Sequence, residues 1–305
     1  MIQPRYLDQV RLLIQLLPAV FREKDFFLKG GTAINFFVRD IPRLSVDIDL
    51  VYGKVADRTT SLNAISTGMK SIAKTIRSQM PGCQIQEKRA GEHIVSLYVN
   101  SGTASVTLET NTVLRGSVFP GQEREISRAL SQRFKIDMHV TAKTLAIPDL
   151  YGGKICAALD RQHPRDLFDI KILFENEGIT SEIRKAFIVY LACHDRPMSE
   201  LLAPKYLDMR KVFENEFKGM TEHPVTYEEL LDVRERPVST ISKDLTGQER
   251  QFLVSIKSGE PQWDLLGIDG IDKLPALQWK LTNIKKIPKE KHTSALEKLK
   301  KVLEL

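Results

Sequence analysis

Apolar residues recur at spacings of three and four between residues 5 and 22. Leu7, Val10, Ile14, Leu17 and Phe21 fall on one side of a helical wheel, so the chain is expected to open with an amphipathic helix that packs as a lid or brace. The short apolar run Phe26 to Leu28 is halted by Gly30-Gly31, and Ala33, Ile34, Phe36 and Phe37 then suit a short helix. In "LSVDIDLVY" the pattern switches to period two. Leu44, Val46, Ile48 and Leu50 alternate with Ser45, Asp47, Asp49 and Val51, which predicts a half-buried strand with both aspartates on one face. A stripe of Leu62, Ile65, Met69, Ile72 and Ile76 predicts a helix over 59–78, and strand-like runs follow at 84–88, 93–100 and 105–114. The "SGT" between the last two marks a hairpin, and a further short strand is expected over 134–140.

From Pro148 the period becomes helical again. "PDLYGGKICAALDR", "RDLFDIKILFENE" and "SEIRKAFIVYLACH" read as successive helices, with "TYEELLDVRERPV", "TGQERQFLVSIKSG" and "ALEKLKKVLEL" as later ones. The expected class is α+β: a mixed-sheet domain over 1–145 with an N-terminal helix, then a helical domain over 146–305. No internal repeat or low-complexity tract interrupts it.

Composition narrows this picture little. The chain has 305 residues, 42% hydrophobic and 28% charged, which suits a globular protein with a substantial core and argues against disorder, collagen or a disulfide scaffold. Cys83, Cys156 and Cys193 are scattered without CxxC or Cys/His spacing, as befits a reducing cytoplasm. The first 25 residues carry charges through their apolar stretch and lack a signal-peptide pattern, and no segment has the roughly 18 apolar residues a membrane span needs. A soluble cytoplasmic protein without membrane contact is expected. The formal charge of +6 and pI near 9.1 mildly favour a polyanionic partner, with plain solubility as the bland alternative. Between Lys285 and Lys301 basic residues alternate with Leu296 and Leu299; this reads as a solvated helix face or, more sharply, as RNA contact.

The chemistry gathers around residues 30 to 50. Two carboxylates at i and i+2 on a rigid pleat supply hard oxygen ligands suited to Mg²⁺ held together with substrate phosphates, so Asp47 and Asp49 form a candidate metal site, with two ions the expected number. Alone, such a pair reads as the solvent face of an edge strand. The glycine turn changes that weighting. Gly30 and Gly31 let a backbone approach a ligand closely, a helix starting near Thr32 presents N–H groups to a triphosphate, and the Thr32 hydroxyl could join them. Arg43 is readable as a nucleotide contact or as loop solvation, and the sequence leaves both open. The six histidines form no ligand cluster, and His163 reads as a bystander in a loop.

"GGTAI" followed by "RLSVDIDLV" resembles the first motif of the polymerase-β-like nucleotidyltransferase superfamily. That resemblance implies a third metal-binding carboxylate on a neighbouring strand, for which "VTLETNTVLRG" offers Glu109. "GGKICAALDRQHPRDLFDI" is similar to the signature of the AbiE-type abortive-infection toxins, the AbiEii/AbiGii nucleotidyltransferases. It implies functional roles for Lys154, Arg165, Asp166 and Asp169, with the helical domain contributing a lysine and an acid to the active site. Lys154 suits a point charge on the triphosphate; Asp166 could fix Lys154, position the acceptor or act as its base. Asp166 is preferred to Asp169, which could instead pair with Arg165 along the helix.

The activity so implied is transfer of a nucleoside monophosphate from an NTP to an acceptor hydroxyl, with Mg²⁺ as cofactor. The biological setting implied is a toxin of a bacterial toxin–antitoxin or phage-defence pair, with a cognate antitoxin protein as partner and RNA, at tRNA 3′ ends, as acceptor. A small-molecule or protein acceptor and a non-catalytic nucleotide-binding role are the competing expectations.

Overall fold

The computed structural model describes residues 2–136 and 139–305. They divide into two compact units, Met1–Ala146 with Lys218–Pro224, and Ile147–Phe217 with Val225–Leu305.

The first unit is built on strands β1 (Phe26–Lys29), β2 (Asp47–Tyr52), β3 (Gln84–Ala90), β4 (His93–Asn100), β5 (Ser105–Asn111), β6 (Gln122–Glu125) and β7 (Thr141–Thr144). They form one mixed sheet in the order β3-β4-β5-β2-β1-β7-β6. Helix α1 (Pro4–Val20) buries Val10, Leu13, Leu16, Leu17 and Val20, and packs on β5 and on α3 (Arg58–Gln79). The apolar stripe of α3, capped by Asp57 accepting from the Thr60 N–H, is buried against β4. Between β1 and β2 the chain makes a short helix α2 (Gly30–Ala33) that runs on as a π-helical turn, Ile34–Val38. β4 and β5 are antiparallel around the expected turn, whereas β2 and β5 are parallel and in register.

Three boundaries differ from the sequence expectation, each for a local reason. β2 begins at Asp47 rather than Leu44, because the Leu44 N–H donates to the Met220 carbonyl (2.8 Å) and Arg43 bridges Thr221, so the returning segment Lys218–Pro224 takes the strand's first residues. β5 ends at Asn111, whose Oδ1 accepts from the N–H groups of Val113 (2.8 Å) and Leu114 (2.7 Å) and turns the chain. The strand expected over 134–140 includes residues 137 and 138, which lie outside the described residues. Phe134 itself closes helix α4 (Arg128–Phe134), and the strand of this region is β7, paired with the polar edge strand β6.

The second unit is helical: α5 (Ile147–Arg161), α6 (Pro164–Glu175), α7 (Ser181–Cys193), α8 (Met198–Leu202), α9 (Arg210–Val212), α10 (Tyr227–Arg234), α11 (Arg236–Asp244), α12 (Gly247–Ser258), α13 (Pro275–Ile284) and α14 (Lys289–Val302). The α5–α7 pair is its centre. Gly152 makes that pair possible, since a Cβ there would lie 2.7 Å from the Phe187 backbone nitrogen. Capping boxes at Thr226/Glu229 and Thr246/Glu249 start α10 and α12. Cys156 and Cys193 are buried thiols, and burial pushes Cys193 up to about 12, which leaves it inert as a nucleophile. Among the described residues, no helix is long and apolar enough to cross a membrane.

Candidate active site

In the sheet unit, β1 ends at Lys29 and pairs antiparallel with β2, with Lys29 opposite Asp49. The next residue, Gly30, has φ +70, and a Cβ there would overlap Asp49 Oδ2. Only glycine satisfies both conditions, so the turn is moulded directly onto the second aspartate. At Gly31 a Cβ would lie 2.6 Å from Arg43 Nη2 and 2.9 Å from Ser45 Oγ. Arg43 is buried, with Nη1 donating to the Leu44 carbonyl (2.9 Å), so its guanidinium stands against the turn rather than solvating the loop. Thr32 is buried as well. Its hydroxyl donates to the Asp47 carbonyl and lies 3.0 Å from Ser45 Oγ, while Ser45 Oγ donates to Asp47 Oδ1 (3.3 Å). The hydroxyl expected to reach the nucleotide is thus engaged in fixing the start of β2.

The parallel β2–β5 register places Asp47 opposite Thr107 and Asp49 opposite Glu109. Facing residues in register share a sheet face, so Asp47, Asp49 and Glu109 project on one side. Asp47 and Asp49 are half-buried and Glu109 is exposed. Their donor set is all hard oxygen, which fits a divalent ion that keeps waters and phosphate oxygens in its shell. The three carboxylates do not converge by themselves: among the described residues no group of three or more His, Cys, Asp or Glu stands ready to hold a metal ion.

The helical unit carries a different ionic arrangement. Asp166 and Asp169, three residues apart, share one face of α6. Lys154 of α5 donates to Asp166 Oδ1 (2.8 Å) and lies 3.0 Å from Asp169 Oδ2. Arg161, two turns along α5 from Lys154, grips Asp166 through Nε (2.6 Å) and Nη2 (3.0 Å). Lys154, Asp166 and Asp169 are all buried. Burial would raise the Asp166 carboxyl, but the charges and hydrogen bonds of Lys154 and Arg161 outweigh it and hold the group well below the usual carboxylate range. The chain reverses between the two helices at Gln162, with φ +50. His163 then caps α6: Nδ1 accepts from the Arg165 N–H (3.1 Å), Nε2 meets Glu216 (3.1 Å), and Pro164 follows at the first helical position. His163 is thus a helix cap, a structural role that the sequence did not show. Asp166 sits in the first turn, where the helix dipole favours its charge.

Sequence reasoning did not single out Arg161 or Ser45. Arg161 had a visible signal, since seven residues from Lys154 is the same helical face; Ser45 had only its place two residues before Asp47.

A glycine turn leading to an acidic β2 that pairs with the Glu109 strand is the arrangement that the resemblance to nucleotidyltransferases implies. The chain belongs to the AbiEii family: the family model described as nucleotidyl transferase AbiEii toxin of type IV toxin–antitoxin systems matches residues 11–283. The protein is accordingly a nucleotidyltransferase toxin. The fold is similar to that of MenT4, nucleotidyltransferase toxin Rv2826c from Mycobacterium tuberculosis H37Rv, at a TM-score of 0.60 and 14% identity over 92% of this chain and 93% of that one. Identity that low speaks to the fold alone. No curated protein sequence matches the chain.

Proposed function

We propose that the protein transfers a nucleoside monophosphate from an Mg²⁺-bound NTP to the 3′-terminal hydroxyl of an RNA, with tRNA as the acceptor class, in the bacterial cytoplasm. Its toxicity is restrained by a cognate antitoxin in an abortive-infection setting. The observation that carries the reading is the pairing of Asp49 with Glu109 in register beside Gly30.

Gly30 and Gly31 bring backbone N–H groups to the phosphates, and Arg43, packed at Gly31, adds fixed positive charge. Asp47, Asp49 and Glu109 would hold a divalent metal ion, which when bound would neutralise charge on the phosphates and lower the pKa of the attacking hydroxyl. Thr32 and Ser45 keep Asp47 in place. The acceptor hydroxyl gives its proton to solvent and its oxygen bonds to the α-phosphorus as the bond from that phosphorus to the α–β bridging oxygen breaks and pyrophosphate departs; most of the catalysis is positioning. Lys154 supplies a point charge to the triphosphate. The depressed Asp166 carboxyl is a poor base, and its bonds to Lys154 and Arg161 support the positioning role among those the sequence left open.

The test is incubation of purified protein with total bacterial tRNA, Mg²⁺ and each α-³²P-labelled NTP in turn, beside an Asp49→Ala control. Label on RNA that is lost in the control is the expected result. No label with any NTP, despite Mg²⁺-dependent NTP binding, would overturn the RNA acceptor.

A further inference from the structure

Positive charge is distributed very unevenly along the chain. Residues 273–301 hold nine lysines against two glutamates, a surplus larger than the whole chain's +6, so the remainder is just on the acidic side of neutral. This stretch is α13, α14 and the turn joining them. Lys273, Lys285, Lys286, Lys289, Lys291, Lys298 and Lys301 are exposed, and none of them is in an ion pair among the described residues. Some surface cations elsewhere have a carboxylate beside them, as in Arg11–Asp8, Lys54–Asp25 and Lys171–Glu175. A solvated helix face would be expected to mix the signs. Lys300 and Lys301, in the last turn of α14, have a local use against the helix dipole, as does Lys273 at the end of the 3-10 turn Ile271–Lys273.

A second feature lies in the same stretch. Trp279 is 48% exposed on α13, and Lys286 Nζ stands 5.8 Å from its ring centroid. Toward the C-terminal end of α13 its neighbours on the helical face are the polar Thr282 and Asn283, with Lys286 following in the turn, while Pro275 and Ala276 lie on the side before it. A membrane-binding helix would group Trp with Leu or Phe, and a protein interface would surround it with an apolar core. An exposed indole set among unpaired lysines instead matches the two needs of single-stranded nucleic acid, a π-face for a base and mobile cations for phosphates. On α14, Lys301 lies opposite the buried Leu299, and Lys291 and Lys298 lie together on its flank, roughly 10 Å apart along the axis.

Helix α13 packs on α7, which packs on α5, the helix of Lys154, and Lys280 ties α13 to the end of α7 by donating to the His194 carbonyl (2.5 Å). Two helix packings of 8–10 Å each put at most roughly 20 Å between the axes of α13 and α5. A free nucleotide is too small to span that distance, but a folded RNA is not.

We infer that α13 and α14 form an RNA-docking surface, in which Trp279 stacks on an unpaired base and the surrounding lysines hold the backbone of the acceptor away from its reacting end. The inference rests on the RNA-acceptor reading and extends it to residues that do not touch the NTP. It requires that long RNA be bound through this face and a short 3′-end oligonucleotide not.

The experiment compares wild type, a Lys285→Glu/Lys286→Glu/Lys291→Glu/Lys298→Glu variant and Trp279→Ala, each checked for native melting temperature. Fluorescent total tRNA is titrated between about 50 and 300 mM salt. Charge reversal is expected to weaken binding at least tenfold and to reduce the log–log salt slope by about three, and Trp279→Ala to weaken it about five- to a hundredfold. In a Trp263→Phe background the Trp279 emission should be quenched by unstructured RNA. NTP binding, and label transfer to a short 3′-end oligonucleotide, should be unchanged in both surface variants. Wild-type affinity and slope in the charge-reversed protein would overturn the surface, as would Trp279 emission that responds to an acidic protein or anionic vesicles but not to RNA. Label transferred to tRNA with equal efficiency by all three proteins would remove the surface and leave the RNA acceptor standing. RNA bound through this face with no label from any NTP would do the reverse.

Discussion

The sheet unit and the helical unit each present acidic residues in a motif, but they treat them in opposite ways. Asp49 and Glu109 face one another across β2 and β5 with Glu109 open to solvent. Asp166 and Asp169 are buried and held by Lys154, with Arg161 closing over Asp166 from the outside. Two carboxylates and two cations make the second group formally neutral, the condition under which buried charge is tolerated. A carboxylate left accessible on a rigid strand is available to a ligand from outside, whereas one saturated by internal partners defines the position of those partners. The same residue type is thus open along a strand in one unit and locked by internal partners in the other.

That contrast predicts different mutational signatures. The largest effect is expected for Asp49→Ala: nucleotidyl transfer should fall by about 10³-fold or more, while stability changes by about 1 kcal/mol or less, read by label transfer and thermal unfolding. Comparable loss of both would place Asp49 with the carboxylates locked by internal partners. Asp166→Ala should add what Asp49→Ala lacks, a stability loss of about 3–5 kcal/mol in chemical denaturation, because it leaves Lys154 and Arg161 without their shared anion. Transfer should fall with it as Lys154 loses its position. The acid limb carries the same information. The folded Asp166 pKa lies below its unfolded value near 3.9, so its contribution is complete above that pH and is lost as pH falls through the depressed folded value. Asp166→Ala should flatten the unfolding curve below about pH 4.

Gly30→Ala tests the join between turn and aspartate. Positive φ and overlap with Asp49 together should destabilise by about 1–3 kcal/mol, and transfer should fall with the displacement of the carboxylate. The smallest effect belongs to His163. Burial, and after it Arg165, lower its pKa, with Glu216 opposing, so the unfolded chain binds the proton more readily and stability falls as pH drops below about 6.5. Protonation also removes the Nδ1 acceptor that caps α6. His163→Asn, which keeps an acceptor, should reduce the decline in melting temperature between pH 7.5 and 5.5 by the equivalent of about 1 kcal/mol at most. His194, lowered by burial too, should keep the rest of that slope in place.

Legibility in the sequence followed locality. Period two exposed β2 and the shared face of its aspartates, and period 3.6 exposed α1, α3 and α5 to α7, since each pattern is written within one element. β6 was invisible because Gln122–Glu125 has no apolar alternation; an edge strand needs only a backbone partner, here β7. The true start of β2 was hidden because its competitor, Met220, lies far along the chain. In the candidate site, the DxD pair, Gly30, Gly31 and Lys154 could be chosen by residue type and spacing, and Glu109 through the resemblance. The buried setting of Arg43, the engagement of Thr32 and the cap made by His163 could not, because each depends on what another segment brings beside it.

The parallel register of β2 and β5 also sets how the chain can change length. An added residue at the exposed turn around Gly102 would lengthen a loop and leave Glu109 opposite Asp49. One added between Val106 and Glu109 would reverse the facing of every residue beyond it, sending the glutamate inward and a core leucine out. Insertions and deletions in this hairpin should therefore be tolerated at its tip and eliminated four residues later.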